Sequence, residues 1–349
     1  MSIIKRRTLQ RNSIYDFLRF IGIVCILLAH MGIPNTLFQI RNFDVPFLVI
    51  LSGIAYAEFS AIHYTSYFDY LKKRFLRLIM PTWIFLTLYY ISFYTVNEIH
   101  LNNLLFSYSL LGHEDIGVWI IRIFFSMAIL APFLFWWNKK LNANKKFYIF
   151  IATAFTFYEI IYFISKHYIH GINFTIFNVL FMYTFSYGLL YLYGIRLNSF
   201  NQASLKKHFA LILVILLSYL SYDWILYEKF YPTQLFKYPP EGYYFAYALM
   251  ISLILFYFSK YTNLFAFFIN NKLIAFIGSS TFWIYLWHWY YLKLYEIYLL
   301  DMHYLIKFIF IFSLTLATVY IQKKLLFFLL ERLHLNKKTK KLLTTVFTG

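Results

Sequence analysis

Ten long apolar runs constrain the fold of this chain more than any other feature of its sequence. A helix needs about 20 mostly apolar residues to cross the hydrocarbon core of a bilayer. The runs lie at residues 14–33, 43–62, 80–97, 118–137, 147–165, 175–195, 209–227, 243–259, 273–295 and 304–322. Because an open sheet edge finds no hydrogen-bond partner in lipid, such runs predict a bundle of membrane-spanning helices.

The composition also favours lipid as the main solvent of the chain. Of the 349 residues, 61% are hydrophobic and 13% are charged, whereas soluble domains carry about 25% charged residues. We therefore predict an all-α, polytopic transmembrane bundle of about ten spans. It forms a single domain over residues 1–349, with basic tails at about 1–13 and 323–349.

The basic residues predict the orientation of the bundle. Lys and Arg concentrate in the N-terminal stretch and in every second loop, for example at 72–77 and 139–146, and again at 323–341. Loops rich in Lys and Arg stay in the cytoplasm, so we expect both termini inside. The net charge of +18 is thus a topology signal. A nucleic-acid-binding protein would carry its charge on a soluble face with interleaved aromatic residues, so we expect no nucleic-acid partner.

Three ionisable residues interrupt the first apolar run. Asp16 and Arg19 are three residues apart, and His30 follows Arg19 by eleven. At 100° per residue, all three point in nearly the same direction, with Arg19 and His30 about 16 Å apart along the helix axis. Ionisable residues in spans usually face a polar interior, which favours a functional stripe. The alternative is that Arg19 reaches the inner interface with Asp16 as its partner, while His30 faces the outer headgroups.

Arg74 and Arg77 lie in a basic inner loop, three residues apart. Guanidinium groups bind phosphate in a forked geometry that Lys cannot reproduce, so the pair could bind a phosphorylated molecule. An anchor contacting acidic lipid explains the pair equally well, and explains Lys72 and Lys73 better.

Four further residues are candidates for the lining of a substrate path. Trp119 and Arg122 begin the fourth run, where Trp is also expected as an interfacial residue and Arg122 could bind an anionic or carbonyl group. Tyr285 and His288 share one face of the ninth run. For His288 we favour a polar residue lining the bundle over a direct catalytic role.

Other residues of the first two runs predict structure only. Pro46 suits a helix N-terminus, with Asp44 as its cap. Ser52 and Gly53 permit close packing against another helix. Cys25, the only cysteine, is expected to be a small buried side chain, and no metal is predicted.

Taken together and in order, these residues resemble the acyltransferase family 3 of bacterial membrane-bound O-acyltransferases. The matching residues are Arg19 and His30 with ten residues between them, then Leu51, Ser52 and Gly53, then Arg74 and Arg77 before Pro81, then Trp119, and finally Tyr285, Leu286 and His288. The chain departs from many members where Asn42 to Pro46 replaces a Gly-Val-Asp stretch. We also expect no hydrolase-like extracytoplasmic domain of the kind that longer members carry.

The resemblance implies an enzyme of the bacterial inner membrane that takes an acyl group, usually acetyl, from cytoplasmic acetyl-CoA. The acceptor would be a hydroxyl of a cell-surface or lipid-linked glycan. In this scheme His30, Arg19 and Asp16 form the catalytic set, with His30 as general base and Arg19 steadying the donor or the oxyanion. Arg74 and Arg77 would hold the phosphates of CoA.

Two other classes of protein remain alternatives. A glycan flippase or polymerase would also be polytopic and basic, but it generally needs large outer loops or a cationic lumen. A small-molecule transporter would carry polar midplane residues in both halves, whereas the second half here offers only Glu159 and His288.

Overall fold

The computed structural model describes residues 13–61, 66–93, 101–111, 116–169, 171, 176–298 and 302–348. Within these residues the chain is mainly helical and has no β-strand, so the predicted all-α fold is confirmed. The basic stretch at 1–12 lies outside them, as do the predicted span ends at 62, 94–97 and 175.

In chain order the helices are α1 Ser13–Ala29, α2 Asn35–Ile40, α3 Asp44–Ala55, α4 Tyr67–Phe93, α5 Leu101–Tyr108, α6 Trp119–Lys140, α7 Asn144–Tyr168, α8 Tyr183–Leu197, α9 Gln202–Tyr227, α10 Gly242–Tyr261, α11 Ala266–Ile269, α12 Lys272–Gly278, α13 Thr281–Tyr298, α14 Tyr304–Arg332 and α15 Lys337–Thr348.

Seven helical segments within the described residues are long and apolar enough to cross a membrane. They are Asn35–Phe59, which contains α2 and α3, and the helices α4, α6, α7, α9, α10 and α14. The other three predicted spans coincide with α1, α8 and α13. Of these, α1 and α8 have 17 and 15 residues, and α13 is rich in Tyr, Trp and His. A multi-span helical membrane protein is confirmed, while the number ten and the inside position of the termini stay predictions.

The centre of the bundle is the crossing of α3 and α8. Every residue from 186 to 197 of α8 is buried, as expected for a helix surrounded by protein. Gly53 of α3 lies directly against the carbonyl oxygen of Tyr191, and Gly194 of α8 lies against that of Ile50. A side chain at Gly53 would overlap the backbone of α8, and a side chain at Gly194 would overlap the backbone of α3. The close packing predicted for Gly53 is therefore confirmed.

Helix α1 also lies inside the bundle, between α3, α12 and α13. Gly278 at the end of α12 contacts the backbone of Asp16, which holds the start of α1 in place. By contrast, only 11% of the most apolar window of α7 and 17% of those of α9 and α14 are buried. These three helices therefore form much of the lipid-facing shell, and α1 is free to carry polar groups.

Several predicted boundaries differ from the structure. Helix α1 ends at Ala29, so His30 lies in the turn that follows it, and the run predicted at 273–295 is divided between α12 and α13. Helix α4 begins at Tyr67, not near residue 80, so the segment predicted as an inner loop is helical and Pro81 lies inside the helix. Helix α14 continues to Arg332, beyond the predicted end at 322, and α15 follows it. This last helix is fastened to α13, where the indole nitrogen of Trp283 donates to the carbonyl oxygen of Val346 at 3.1 Å.

Candidate active site

Two cavities lie inside the bundle beside α1. The first has a volume of about 180 Å³, and we call it the Arg74 cavity. Its polar lining consists of Arg19, Ser52, Tyr70, Arg74, Tyr191, Thr281 and Tyr285. Arg74 lies over the ring of Tyr70, with 5.3 Å between its guanidinium carbon and the ring centroid. This cation–π contact holds one positive charge at the cavity wall.

The second cavity has a volume of about 260 Å³, and we call it the His30 cavity. Its polar lining consists of His30, Arg41, Asp44, Trp119, Gln234, Lys237, Tyr238, Tyr285 and Trp289. The residues come from α1, α3, α6, α13 and the segment before α10, so distant parts of the chain converge here.

The two cavities share part of their walls. Ile26, Ile120 and Tyr285 line both of them. The hydroxyl of Tyr285 donates to the carbonyl oxygen of Gly117, which fixes the ring at the junction. The sequence predicted that Arg19 and His30 share one face of α1, and the structure places them at opposite ends of this pair of cavities.

An aromatic cluster surrounds His30. Its ring centroid lies 4.4 Å from that of Trp289 and 5.5 Å from that of His288. His288 is fully buried and lines neither cavity. Its Nδ1 contacts the carbonyl oxygen of Tyr285, which favours the tautomer with the proton on Nδ1. Its Nε2 has no hydrogen-bond partner within the described residues and is then a free base beside His30.

Asp16 and Arg19 form an ion pair, with 3.3 Å between Oδ1 and Nη1. The carboxylate is buried, whereas the guanidinium is about one-third exposed and lines the Arg74 cavity. Asp16 lies outside the lining of the cavity and orients the Arg19 side chain through this ion pair. The sequence suggested this pairing. It is compatible with a functional stripe on α1 and also with an Arg19 that reaches the inner interface with Asp16 as its partner.

The arginine pair of α4 is divided by the structure. Arg74 lines the Arg74 cavity, and Arg77, one turn further along, lies outside its lining. Pro81 cannot donate a backbone hydrogen bond to the carbonyl of the residue four before it, which is Arg77. In the same stretch the hydroxyl of Thr82 bonds the carbonyl oxygen of Leu78 at 2.6 Å. Arg74 is thus the member of the pair that faces the cavity.

Trp119 and Arg122, at the start of α6, have different surroundings. Trp119 is buried in the wall of the His30 cavity and packs edge-on against Tyr238, with ring centroids 5.5 Å apart. Arg122 donates from Nη1 to the carbonyl oxygen of Leu110 at 3.0 Å and lines neither cavity. The structure therefore brings Trp119 to the candidate site, while Arg122 ties a loop to the bundle.

The sequence analysis missed a buried group of charges in the His30 cavity. Arg41 Nη1 lies 2.7 Å from Asp44 Oδ2, and Lys237 Nζ lies 3.6 Å from Asp44 Oδ1. Asp44 was predicted to cap its helix, but the N-cap position is Phe43, without a side-chain bond. Asp44 is the first residue of the helix, and its Oδ1 accepts from the backbone N–H of Val45 at 2.8 Å, so the carboxylate serves the helix start as well as the two cations.

No pattern in the sequence pointed to this group. Lys237 comes almost 200 residues after Arg41, and both counted as ordinary outer-loop charges. Hydrogen bonds bring the two segments together, because Asn42 donates to Thr233 at 3.1 Å and accepts from Lys237 at 3.0 Å. Burial lowers the pKa of Lys237, and the Asp44 carboxylate opposes that shift.

The Arg74 cavity offers guanidinium groups and an apolar wall, a combination that can contact a molecule with anionic and apolar parts. The lining of the His30 cavity is more polar and includes both cations and hydrogen-bonding groups. No group of three or more His, Cys, Asp or Glu side chains that could hold a metal ion occurs among the residues described here.

Comparison with known proteins identifies the family. A family model described as an acyltransferase domain matches residues 12–322. The chain belongs to the acyltransferase-3 family. No curated protein and no solved structure matches the chain. The matched region contains both cavities and every predicted site residue, and it supports a multi-pass membrane acyltransferase.

Proposed function

We propose that this member of the acyltransferase-3 family moves an acetyl group from cytoplasmic acetyl-CoA to a hydroxyl of a cell-surface or lipid-linked glycan. The bacterial inner membrane, with both termini in the cytoplasm, would be its location. The observation that carries the proposal is the pair of cavities sharing Tyr285, with arginines at one end and His30 at the other. A donor and an acceptor could meet at the shared wall from opposite sides.

The Arg74 cavity would receive the donor. Arg74 and Arg19 would contact the anionic part of CoA, and Arg77 on the same helix would extend that positive surface. Helix α15, which carries several lysines, packs against α4 and adds to the positive potential there. Because Arg19 lines the Arg74 cavity and His30 lines the other one, Arg19 would steady the donor and not the oxyanion.

The His30 cavity would receive the acceptor. The imidazole of His30 takes the proton of the sugar hydroxyl, and the oxygen attacks the thioester carbonyl carbon. The carbon–sulfur bond then breaks, the acetyl ester forms, and the CoA thiolate leaves with the proton that His30 took from the hydroxyl, which returns His30 to its neutral form. His288, with its free Nε2 beside His30, would stabilise the charged imidazole that forms during the step.

Replacing His30 by glutamine tests this mechanism. A general base contributes about 100-fold or more to the rate, so His30→Gln should lower acetyl transfer by at least that factor. Transfer of radiolabelled acetyl from acetyl-CoA to the host glycan by purified protein measures the effect. His167→Gln is the matched control, because His167 is exposed and bonds only the carbonyl oxygen of Phe163 on its own helix. Equal transfer by His30→Gln and wild type would refute the mechanism.

The same protein separates acyl transfer from the rival functions. A transporter or flippase would have no need of CoA. For such a protein, neither acetyl-CoA nor labelled CoA should bind. Saturable binding of CoA that weakens in Arg74→Gln supports the acyltransferase. Its absence at any concentration would favour transport or polymerisation.

A further inference from the structure

The buried charges of the His30 cavity do not balance. Arg41, Asp44 and Lys237 are 5%, 2% and 4% exposed, so all three are withdrawn from solvent. Two cations face one carboxylate, and no other carboxylate is among the described residues that line the cavity. A buried charge is costly unless it is paired and hydrogen-bonded. One positive charge therefore lacks a counterion within this part of the protein.

The polar atoms around the cavity also lack partners. Arg41 Nε is buried without a hydrogen-bond partner within the described residues, and so is Oε1 of Gln234. Buried polar atoms in native proteins nearly always have partners. An unpartnered donor and an unpartnered acceptor on one cavity point to a ligand that supplies both an anionic oxygen and a hydroxyl.

The cations are held in place before any ligand arrives. The guanidinium carbon of Arg41 lies 3.9 Å from the ring centroid of Phe38, and Lys237 Nζ donates to Asn42 Oδ1. Gln39 accepts from the backbone N–H of Gln234 at 3.2 Å. Such fixed donors bind an anion without the entropy cost of ordering long side chains.

We propose that the His30 cavity binds an anionic group of the acceptor, a carboxylate or a phosphate, beside the hydroxyl that is acylated. The inference rests on the proposed function and narrows its substrate class from glycans in general to acidic or phosphorylated ones. The anion would contact Arg41 and Lys237, and Gln234 would accept a hydrogen bond from a sugar hydroxyl. His30 lines the same cavity and would face the reacting hydroxyl.

Binding of small probes tests the proposal without relying on catalysis. Purified full-length protein in nanodiscs is titrated in a calorimeter with glucuronate, glucose and inorganic pyrophosphate. We expect at least one anion to bind at millimolar concentration or below, and glucose to bind at least about tenfold more weakly. Glucuronate binding would indicate a carboxylate on the sugar, and pyrophosphate binding would indicate the phosphate of a lipid carrier.

Variants locate the bound anion. Lys237→Gln leaves the Arg41–Asp44 pair intact, and the new amide can still donate to Asn42, so the variant should fold. A charge-assisted hydrogen bond is lost, and the affinity for the anion should fall at least about tenfold. Lys229→Gln, an exposed cation of the same loop, is the matched control.

Each outcome decides the proposal. Anion binding that falls in Lys237→Gln but not in Lys229→Gln supports it. Absence of binding, or equal binding in wild type and Lys237→Gln, would overturn it and leave the three charges with a purely structural role. If Lys237→Gln unfolds, Arg41→Lys replaces it as the test variant. This variant keeps the charge but loses the guanidinium, so the affinity for the anion should again fall, by a smaller factor. Lys237-dependent binding without acetyl transfer would support the site and refute the proposed function.

Discussion

Replacing Gly194 by alanine tests the crossing of α3 and α8, on which both cavities depend. A Cβ at position 194 would meet the carbonyl oxygen of Ile50 at far less than contact distance, and would lie 2.9 Å from its carbonyl carbon and 3.0 Å from its Cα. All three atoms belong to backbone, so no side-chain rotation relieves the overlap. The two helices would have to move apart.

Gly188 provides a matched control on the same helix. A Cβ there meets only Leu130 Cδ1, at 3.9 Å, which is ordinary contact. Both substitutions gain the same helix propensity, about 1 kcal/mol for Gly to Ala, so that gain cancels in the comparison. What remains is the overpacking term at Gly194, about 1–3 kcal/mol or more. Gly188→Ala should therefore be neutral or stabilising, and Gly194→Ala should be the less stable of the two.

Thermal unfolding in detergent, followed by size-exclusion chromatography with fluorescence detection, measures the difference. One kcal/mol corresponds to about 2–4 °C for domains of 150–250 residues, so we expect a gap of several degrees between the variants. Acetyl transfer should also fall in Gly194→Ala, because Tyr191 and Ser52 of the same two helices line the Arg74 cavity. Equal transition temperatures for the two variants would show that the crossing is looser than the structure has it.

Two further predictions concern the donor site and the topology. In Arg74→Gln the KM for acetyl-CoA should rise about tenfold or more, since a charge-assisted contact is lost. Lys72→Gln, at an exposed position of the same helix, should leave the KM unchanged. Steady-state kinetics with both variants measures the difference, and equal KM values would show that Arg74 does not bind the donor. For the topology, Lys229→Cys should react with a membrane-impermeant maleimide in intact cells and Lys207→Cys only after lysis, because Lys207 lies near the start of α9 and Lys229 follows its end. Labelling of both in intact cells would contradict the predicted orientation.

Much of the candidate site could be predicted where its residues lie on one helix. Helical periodicity brought Asp16, Arg19 and His30 onto one face, and the structure places Arg19 and His30 on cavities that share Ile26 of that face. Periodicity could not tell that a cavity wall separates them. Nor could periodicity predict that Arg74 lines a cavity and Arg77 does not. Residues three apart on a helix point in similar directions, and the sequence does not show where the cavity ends.

The part that escaped prediction depends on tertiary contacts. Lys237 follows a short 3₁₀ turn at Thr233–Phe236, in a segment with neither helical nor strand periodicity. Hydrogen bonds that join Asn42 and Gln39 to Thr233, Gln234 and Lys237 bring it to Asp44. A charge in a loop normally counts as a topology signal, so burial of that charge was invisible before the fold was known.

Three helices that fall outside the seven candidate spans are informative about function. Helices α1, α8 and α13 are not among the segments that are both long and apolar enough to cross a membrane. Tyr191 lies in α8, Tyr285 and His288 lie in α13, and His30 directly follows α1. A helix in contact with lipid must be apolar, because an unpaired polar group in hydrocarbon costs several kcal/mol. A helix surrounded by other helices is released from that demand and can carry ionisable groups toward an internal cavity. Helices α1 and α8 lie inside the bundle, and with α3, α6 and α13 they supply most of the walls of the two cavities.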